Sequence, residues 1–591
     1  MLSIGGDVDA EDLEKYENPT IVEFRNKEKF LKDYNALSHR PFTECNDMEV
    51  AYEAQKVFID PSTKGNDLYR FFSKLKQWAG ADEKQNFRDF NEDFSLESFV
   101  HCTDFNPIEI YAYYIGRCIN NMENGVFLKY FLSYPIKYEK HRAEKIRESF
   151  EKGLKKSLPR HVFDDEKTAK MFKVELKASE PCAYAISALK SYGFDKSAKL
   201  DKPIYYGVFD FGGGTTDFDF GKWEKSANPK YAYKMTHFSS GGDKYLGGEN
   251  LLELLAFEAY GQNFQTLKEK DIVIAKPNYD GINEQRFGSF MQKSREARLN
   301  LQTIASNLRP FLENLDAHII EAIEENEEFE IKGFEKGSKI TLFDRNGKEI
   351  PEIELKIDYK ELLNLLKSKI DDGVANFFAG FSKVMAENID NQCRAFHIFL
   401  GGSASKSVLV KQAFEDAKEK QLKAYKQTAS KDDFTFILYE PLGTEESDKQ
   451  ILELTGKDAF EAWGRYVKPT CKTGVAFGLL ESRKQSKESG IEMPSIDANP
   501  VFKYDLGVEK EGNFHARISR DSLKTNEYQI FQTKEEWGGF DGLEIRYSDK
   551  PIANTNTLDI HDTQLIFIAL EEHEEVDVKV CCVDSQSSGA V

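Results

Sequence analysis

The string Tyr205-Tyr-Gly-Val-Phe-Asp-Phe-Gly-Gly-Gly-Thr-Thr-Asp-Phe-Asp-Phe220 constrains the fold of this chain more than any other. Val208 and Phe209 lead into Asp210, and beyond the glycines Phe218 and Phe220 alternate with Asp217 and Asp219, the period-two pattern of a returning strand. The spacing predicts a β-hairpin closed by Gly212, Gly213 and Gly214. Glycines reach positive φ without steric cost and let backbone N–H groups approach an anion, while Thr215 and Thr216 add hydroxyls at the same rim. Phosphate suits such a turn. Asp210 and Asp217 would repel it unless a divalent cation lay between, and Mg²⁺ binds through one or two carboxylates together with water and phosphate oxygens. The string therefore has the chemistry of a Mg-nucleotide site, and a ligand-free hairpin turn is the alternative for three glycines taken alone.

Composition narrows the setting. At 591 residues the chain exceeds one hydrophobic core and implies about three or four lobes. Hydrophobic residues at 40% and aromatic residues at 13% supply substantial cores, which excludes wholesale disorder. A formal charge of -21 argues against nucleic acid or an anionic membrane as the main partner, because both select for basic surface. No apolar run approaches about 18 residues, and the first residues lack a charged and then apolar leader, so a cytoplasmic protein is expected. The eight cysteines are scattered, with no Cys-x-x-Cys or His-Glu-x-x-His, and the ten histidines show no ligand spacing. Neither zinc nor a disulfide framework is signalled.

A second glycine string follows at Ser240-Gly-Gly-Asp-Lys-Tyr-Leu-Gly-Gly-Glu249, containing Gly241 and Gly242. With it, the hairpin resembles the second phosphate loop of the actin-like ATPases, and specifically of the seventy-kilodalton heat-shock chaperone family, whose Asp-h-Gly-Gly-Gly-Thr-h-Asp (h apolar) precedes such a turn. Other segments keep the family's order. Phe105–Gly116 reads as a helix, Phe127–Pro135 as a strand and residues 139–157 as a charged helix, matching its first subdomain. Ser179-Glu-Pro-Cys-Ala-Tyr-Ala resembles its Glu-Pro-x-Ala-Ala helix, which implies that Glu180 positions the attacking water. A helix expected over 285–303 carries Lys293, Arg295 and Arg298, and the resemblance implies a nucleoside contact for Arg298. Residues 328–357 read as short strands around the turn Asp344–Gly347. Ala395-Phe-His-Ile-Phe-Leu-Gly-Gly-Ser-Ala-Ser resembles the adenosine motif Gly-Gly-Ser-Thr-Arg: Gly401, Gly402 and Ser403 match, and Ser405 stands where the family has an arginine. Lys472–Leu480 resembles the second connecting helix, whose small residues allow close packing. Two family elements do not match. No Asp-h-Gly-Thr-Thr hairpin precedes the strand expected at Thr20–Phe24, and in the segment Val50–Lys56 the family's lysine falls on Gln55, with Lys56 beside it.

The expected fold class is α/β. A two-lobed actin-like ATPase domain would span residues 1–481, with lobe I about 1–180, lobe II about 181–481 and a peripheral subdomain about 250–360. A polar linker would span 482–499, and 500–591 would form a β-sandwich like the family's peptide-binding domain without its helical lid. The resemblance implies a chaperone-like protein whose cofactors are ATP/ADP and Mg²⁺ and whose partner is an unfolded or extended polypeptide or a co-chaperone. Asp210 and Asp217 would hold the metal and serve catalysis with Glu180. Gly212, Gly213, Gly214, Thr215, Thr216, Gly241, Gly242, Arg298, Gly401, Gly402 and Ser403 would bind nucleotide. A non-hydrolysing nucleotide sensor, co-chaperone or scaffold is the alternative, favoured by Gln55, Ser405 and the unmatched hairpin. A small-molecule kinase on the same lobes fits the appended sandwich less well. Hydrolysis is expected to be slow or absent.

Overall fold

Helices and strands are interspersed along the chain, and several sheets result. The computed structural model describes Ile4, residues 13–493 apart from short stretches, and beyond 503 the strands with their immediate flanks. In the N-terminal unit β1 (Val22–Phe24) lies between β2 (Met48–Val50) and β3 (Phe71–Phe72) in a small antiparallel sheet. The short helix α1 (Leu75–Gly80) follows. α2 (Pro107–Met122) begins on a proline, whose missing N–H costs nothing in a first turn. It packs on the charged α3 (Lys140–Ser157), and the approach is close because a Cβ at Gly153 would collide with the Glu109 carbonyl. Between them in sequence β4 (Lys129–Tyr134) forms, and it pairs in parallel with β5 (Lys173–Ser179).

The central unit opens with α4 (Glu180–Ser191), which again has proline in its first turn. The glycine hairpin forms from β6 (Ile204–Phe211) and β7 (Thr216–Lys225), and β8 (Tyr233–Asp243) extends the antiparallel meander. Next come α5 (Gly248–Gln262), α6 (Arg295–Glu313), the hairpin β9 (Lys339–Phe343) and β10 (Glu349–Glu354), and the long α7 (Tyr359–Asn388). β11 (Ala395–Gly401) then returns parallel to β6, and after α8 (Val408–Ala429) β12 (Thr435–Tyr439) pairs outside it. α9 (Gly474–Glu481) precedes β13 (Ile491–Glu492), and the sheet reads β12-β11-β6-β7-β8-β13.

Alternation sorts the faces of this sheet. Phe209, Phe211, Phe218 and Phe220 enter a core shared with residues of α5 and α7, each burial worth about 1.5–3 kcal/mol. Tyr206, Val208 and Trp223 enter a second core shared with α4. Asp210 and Asp217 have the parity of the second set, and they are direct cross-strand partners. Both carboxylates therefore lie on the α4 face.

Two expectations change. The helix expected over 285–303 runs instead from Arg295 to Glu313, capped by Ser294, because Phe290 and Gln292 are drawn into backbone pairing with Ile274. The expected linker is not wholly a spacer: Ile491 and Glu492 pair with Tyr233 and Lys234, Ile491 is buried, and Ser226 Oγ donates to Glu492 Oε2 at 2.5 Å. Residues 484–488 and 494–503 lie outside the described residues, as does the start of the strand expected at Val501, whose described part is Asp505–Lys510.

In the C-terminal unit β14 (Asp505–Lys510), β15 (Asn513–Ile518), β16 (Gln529–Gln532), β17 (Gly542–Ser548), β18 (Thr557–Asp559), β19 (Gln564–Ala569) and β20 (Val578–Val580) form two antiparallel sheets. The five-stranded one runs β18-β15-β14-β17-β19, and β16 pairs with β20 in the other. Leu506, Ile518, Leu543 and Ile545 of the first share one small core with Phe531 of the second. The described cysteines are free thiols, and no helix among the described residues is long and apolar enough to cross a membrane.

The pairing of α4 with α9 sets where Glu180 stands. It depends on glycines: a Cβ at Gly478 would collide with the Ala183 backbone and one at Gly474 would meet the Tyr184 ring. Gly478→Ala should therefore destabilise the central unit by about 1–3 kcal/mol, seen as a lower melting temperature in calorimetry.

Candidate functional site

The glycine turn is held from behind. Gly248 N–H donates to the Gly212 carbonyl at 3.1 Å, Glu249 N–H to the Gly213 carbonyl at 2.7 Å, and Asn250 Nδ2 to the Gly214 carbonyl at 2.8 Å. The start of α5 thus spends its donors on the turn. Inside the turn Gly212 N–H donates to the Thr215 carbonyl at 3.0 Å. With three successive carbonyls facing α5, the N–H groups of Gly213, Gly214 and Thr215 are left with no backbone acceptor among the described residues, and Gly213 is exposed. Successive backbone amides of this kind make an anion-binding concavity. Gln77 of α1 covers Gly214 from the N-terminal unit, with its Nε2 3.3 Å from Asn250 Oδ1.

Not every polar residue of the string reaches this concavity. Thr215 Oγ1 donates to Asp217 Oδ2 at 3.2 Å, but Thr216 is fully buried and its hydroxyl is spent on the Leu246 carbonyl at 2.7 Å. Gly241 and Gly242 lie within β8 opposite Phe218 and Asp217, not in the turn. Gly242 serves the close approach of strands, since a Cβ on it would strike the Thr216 carbonyl.

Beside the turn stand the acids. Asp217 is buried, Asp210 half-buried, and Gly402 abuts both Asp210 Oδ1 and the Phe211 carbonyl. Gly402 has φ 78°, a conformation that glycine alone takes without strain, so the residue is fixed both by backbone and by space. Glu180, on the first turn of α4, is bound to Lys76 of α1, Nζ to Oε2 at 2.5 Å. Desolvation raises the pKa of Asp210 to about 8, helped by Glu180 and Asp217 and opposed by Lys76. Burial works against the charge of Lys76, but Glu180, Asp217 and Asp210 outweigh it and hold its pKa above the ordinary value. Three carboxylates thus crowd one ammonium, an excess of negative charge that a divalent cation would relieve. Among the described residues no three His, Cys, Asp or Glu side chains converge on a metal position by themselves. Mg²⁺ does not require that, because one or two carboxylates suffice when phosphate and water complete its shell. The donors present fit such an ion.

Lys76 is the cation that sequence reasoning missed. Lys56 lies on the helix Ala51–Phe58, half-exposed and paired with Glu53 at 3.1 Å. Nothing in the local sequence around Lys74-Leu-Lys76 separates it from a surface lysine; only the packing of α1 against α4 and the hairpin does.

Gly401 ends β11, Gly402 and Ser403 follow it, and Ala404 packs near Gly248. Ser405 is buried, and its hydroxyl donates to the Gly401 carbonyl at 2.6 Å. Arg298 is not brought here. It stands near Tyr69, which lies under the Arg295 guanidinium on the first turn of α6. Arg309, eleven residues and about 16 Å further along the same helix, occupies the position by the turn. Its Nη1 and Nη2 grip Glu249 Oε1 and Oε2 at 2.6 and 2.7 Å. Burial opposes the Glu249 charge, but Arg309 overrides it and holds the carboxyl below its usual range.

The chain matches no protein-family model and no curated protein, so the residues themselves carry the functional argument.

The charge crowding has a measurable signature. The folded chain holds the Asp210 proton up to about pH 8, whereas the unfolded chain releases it near 3.8. Across that window the folded state binds more protons, so the contribution of Asp210 to stability falls as pH rises. In EDTA, Asp210→Asn should gain stability relative to the parent between about pH 5 and about pH 9, and thermal unfolding at the two pH values reads it directly.

Proposed function

We propose that this chain is an ATP-binding, chaperone-like switch with an actin-like two-lobed fold, in which the N-terminal and central units hold Mg-nucleotide between them and the C-terminal sheets bind extended polypeptide. The observation that carries this reading is the glycine turn, whose carbonyls are tied to α5 and whose amides are left for an anion beside Asp210 and Asp217. The sheet supports it as well: an antiparallel meander β6-β7-β8 with β11 and β12 added in parallel on the side of β6 is the arrangement expected of an actin-like lobe.

Bound Mg-ATP would supply the cation and the transferable phosphoryl group. The amides of Gly213, Gly214 and Thr215 would hold phosphate oxygens, and Asp210 and Asp217 would hold the cation. Lys76 would balance charge on the phosphoryl oxygens, and Glu180, once released from Lys76, would orient water as an acceptor. The segment around Ile491 offers a route to the C-terminal unit, since it adds a strand to the edge of the sheet that carries the glycine turn and precedes β14 in the sequence. A ligand shifts such a coupling only by its differential affinity for the two arrangements.

One observation favours a second reading, a non-hydrolysing nucleotide sensor or scaffold. Glu180 and Lys76 neutralise each other at 2.5 Å, so both groups needed for hydrolysis are spent on one another in this state.

Calorimetry with Mg-ATP tests binding: Asp210→Ala should weaken it by at least about tenfold, and an unchanged affinity would remove the hairpin from the site. Single-turnover hydrolysis separates the two readings. Loss of one well-placed charge stabiliser costs about 10²-fold or more, so a hydrolysing chain should be slowed to that degree by Lys76→Ala and by Glu180→Gln. A parent rate indistinguishable from both variants would leave the sensor.

A further inference from the structure

A cavity of about 660 Å³ opens at the far end of α5, within the roughly 300–1,000 Å³ of small-molecule sites. α5 holds the glycine turn at Gly248 and ends at Gln262, about 20 Å away along the helix. There Gln262 and Asn263 fix the stretch that leads into α7. Gln262 Oε1 accepts from the Asp358 N–H at 2.8 Å, and Asn263 brackets Lys356, its Nδ2 donating to the carbonyl at 2.8 Å and its Oδ1 accepting from the N–H at 2.9 Å. Lys360, on the first turn of α7, donates from Nζ to the Glu324 carbonyl at 2.6 Å and so ties α7 to the helix Ala317–Glu325. These bonds build the walls of the cavity before any ligand arrives.

Part of the lining is apolar: Ile323, Phe329, Ile357 and Tyr359, with the rings of Phe329 and Tyr359 edge to face at 5.4 Å between centroids. The charged part is Lys336, Lys356 and Lys360 against Glu327 and Asp358, and Asp358 already accepts from the Glu361 N–H at 3.0 Å. Carboxylates abound nearby, since residues 321–330 hold six glutamates. Even so, neither Lys336 nor Lys356 forms an ion pair among the described residues. The Lys336 ammonium rests on the Phe329 ring instead, 3.3 Å from the centroid, and the N–H groups turned away from the ring are left for an acceptor. We propose that this cavity binds a small organic anion with a flat apolar body, the charged head against Lys336 and Lys356 and the body along Phe329, Tyr359 and the two isoleucines. Because the lining cations are all lysines, which act as point charges without a fork, charge and not head-group shape sets the preference. The inference is independent of nucleotide binding at the glycine turn.

The test is a ligand-observed NMR titration of the full chain with 2-naphthoate, with its neutral analogue 2-naphthamide, and with acetate, which keeps the charge without the body. Naphthoate should bind at least about fivefold tighter than naphthamide and at least about tenfold tighter than acetate. Lys336 and Lys356 are exposed, so their substitution leaves the fold intact, and Lys336→Gln with Lys356→Gln should together cut the preference for naphthoate over naphthamide by at least about threefold. Glu327→Gln should strengthen naphthoate binding or leave it unchanged, because that acid opposes the anion. Absence of saturable naphthoate binding, equal affinity for naphthamide or acetate, or a preference that the double lysine variant retains overturns the inference. Loss of naphthoate binding in Glu327→Gln overturns it too, since an acid that supports the ligand is not opposing its charge.

Discussion

Three hydrogen bonds from the start of α5 to the carbonyls of Gly212, Gly213 and Gly214 determine how the rest of the site is arranged. Each is worth only about 1 kcal/mol net, but together they fix which way three peptide planes face. With the carbonyls turned back, the amides of Gly213, Gly214 and Thr215 face away from the helix. A helix N-terminus would ordinarily present its own donors to an anion. Here α5 spends them on the turn, and the turn presents its amides instead. The requirement for glycine follows, since a Cβ on Gly247 would strike the Gly214 backbone and one on Gly214 would strike Gln77.

Charge is the second constraint. Strand pairing sets Asp210 opposite Asp217 on one face, and α4 delivers Glu180 to the same place, so the sheet and the helix bring negative charge together. Lys76 answers part of it. The geometry therefore stores an imbalance that protonation of Asp210 relieves in the free chain and that a cation would relieve with ligand bound. Under the proposed function this makes ion and phosphate mutually dependent: phosphate without the cation meets the two acids, and the cation without phosphate lacks part of its shell.

The string from Tyr205 to Phe220 was legible because it is local. Period-two alternation names the strands, three glycines name the turn, and parity puts both aspartates on one face without any knowledge of the rest of the chain. The helix at Glu180, the strand–turn at Gly401 and Gly402 and the packing glycines of α9 were legible for the same reason. Other assignments failed where the decisive contact is remote. Thr216 looks like Thr215 in sequence, yet the carbonyl of Leu246, thirty residues away, claims its hydroxyl. Gly241 and Gly242 read as a turn and are strand, because pairing with β7 continues through them. Arg298 and Arg309 are both arginines on one helix, and only the antiparallel packing of α5 against α6 decides which end lies beside the glycine turn.

What the sequence by itself determined is the hairpin, its glycine turn and the shared face of Asp210 and Asp217, because backbone stereochemistry and strand pleating act over a few residues and leave their period in the residue order. Tertiary structure alone decided that Lys76 and not Lys56 meets Glu180, that Arg309 is tied to Glu249, and that Ile491 becomes an edge strand. Those pairings join residues far apart in the chain, and a charged or apolar side chain carries no mark of its distant partner until packing has brought the two together.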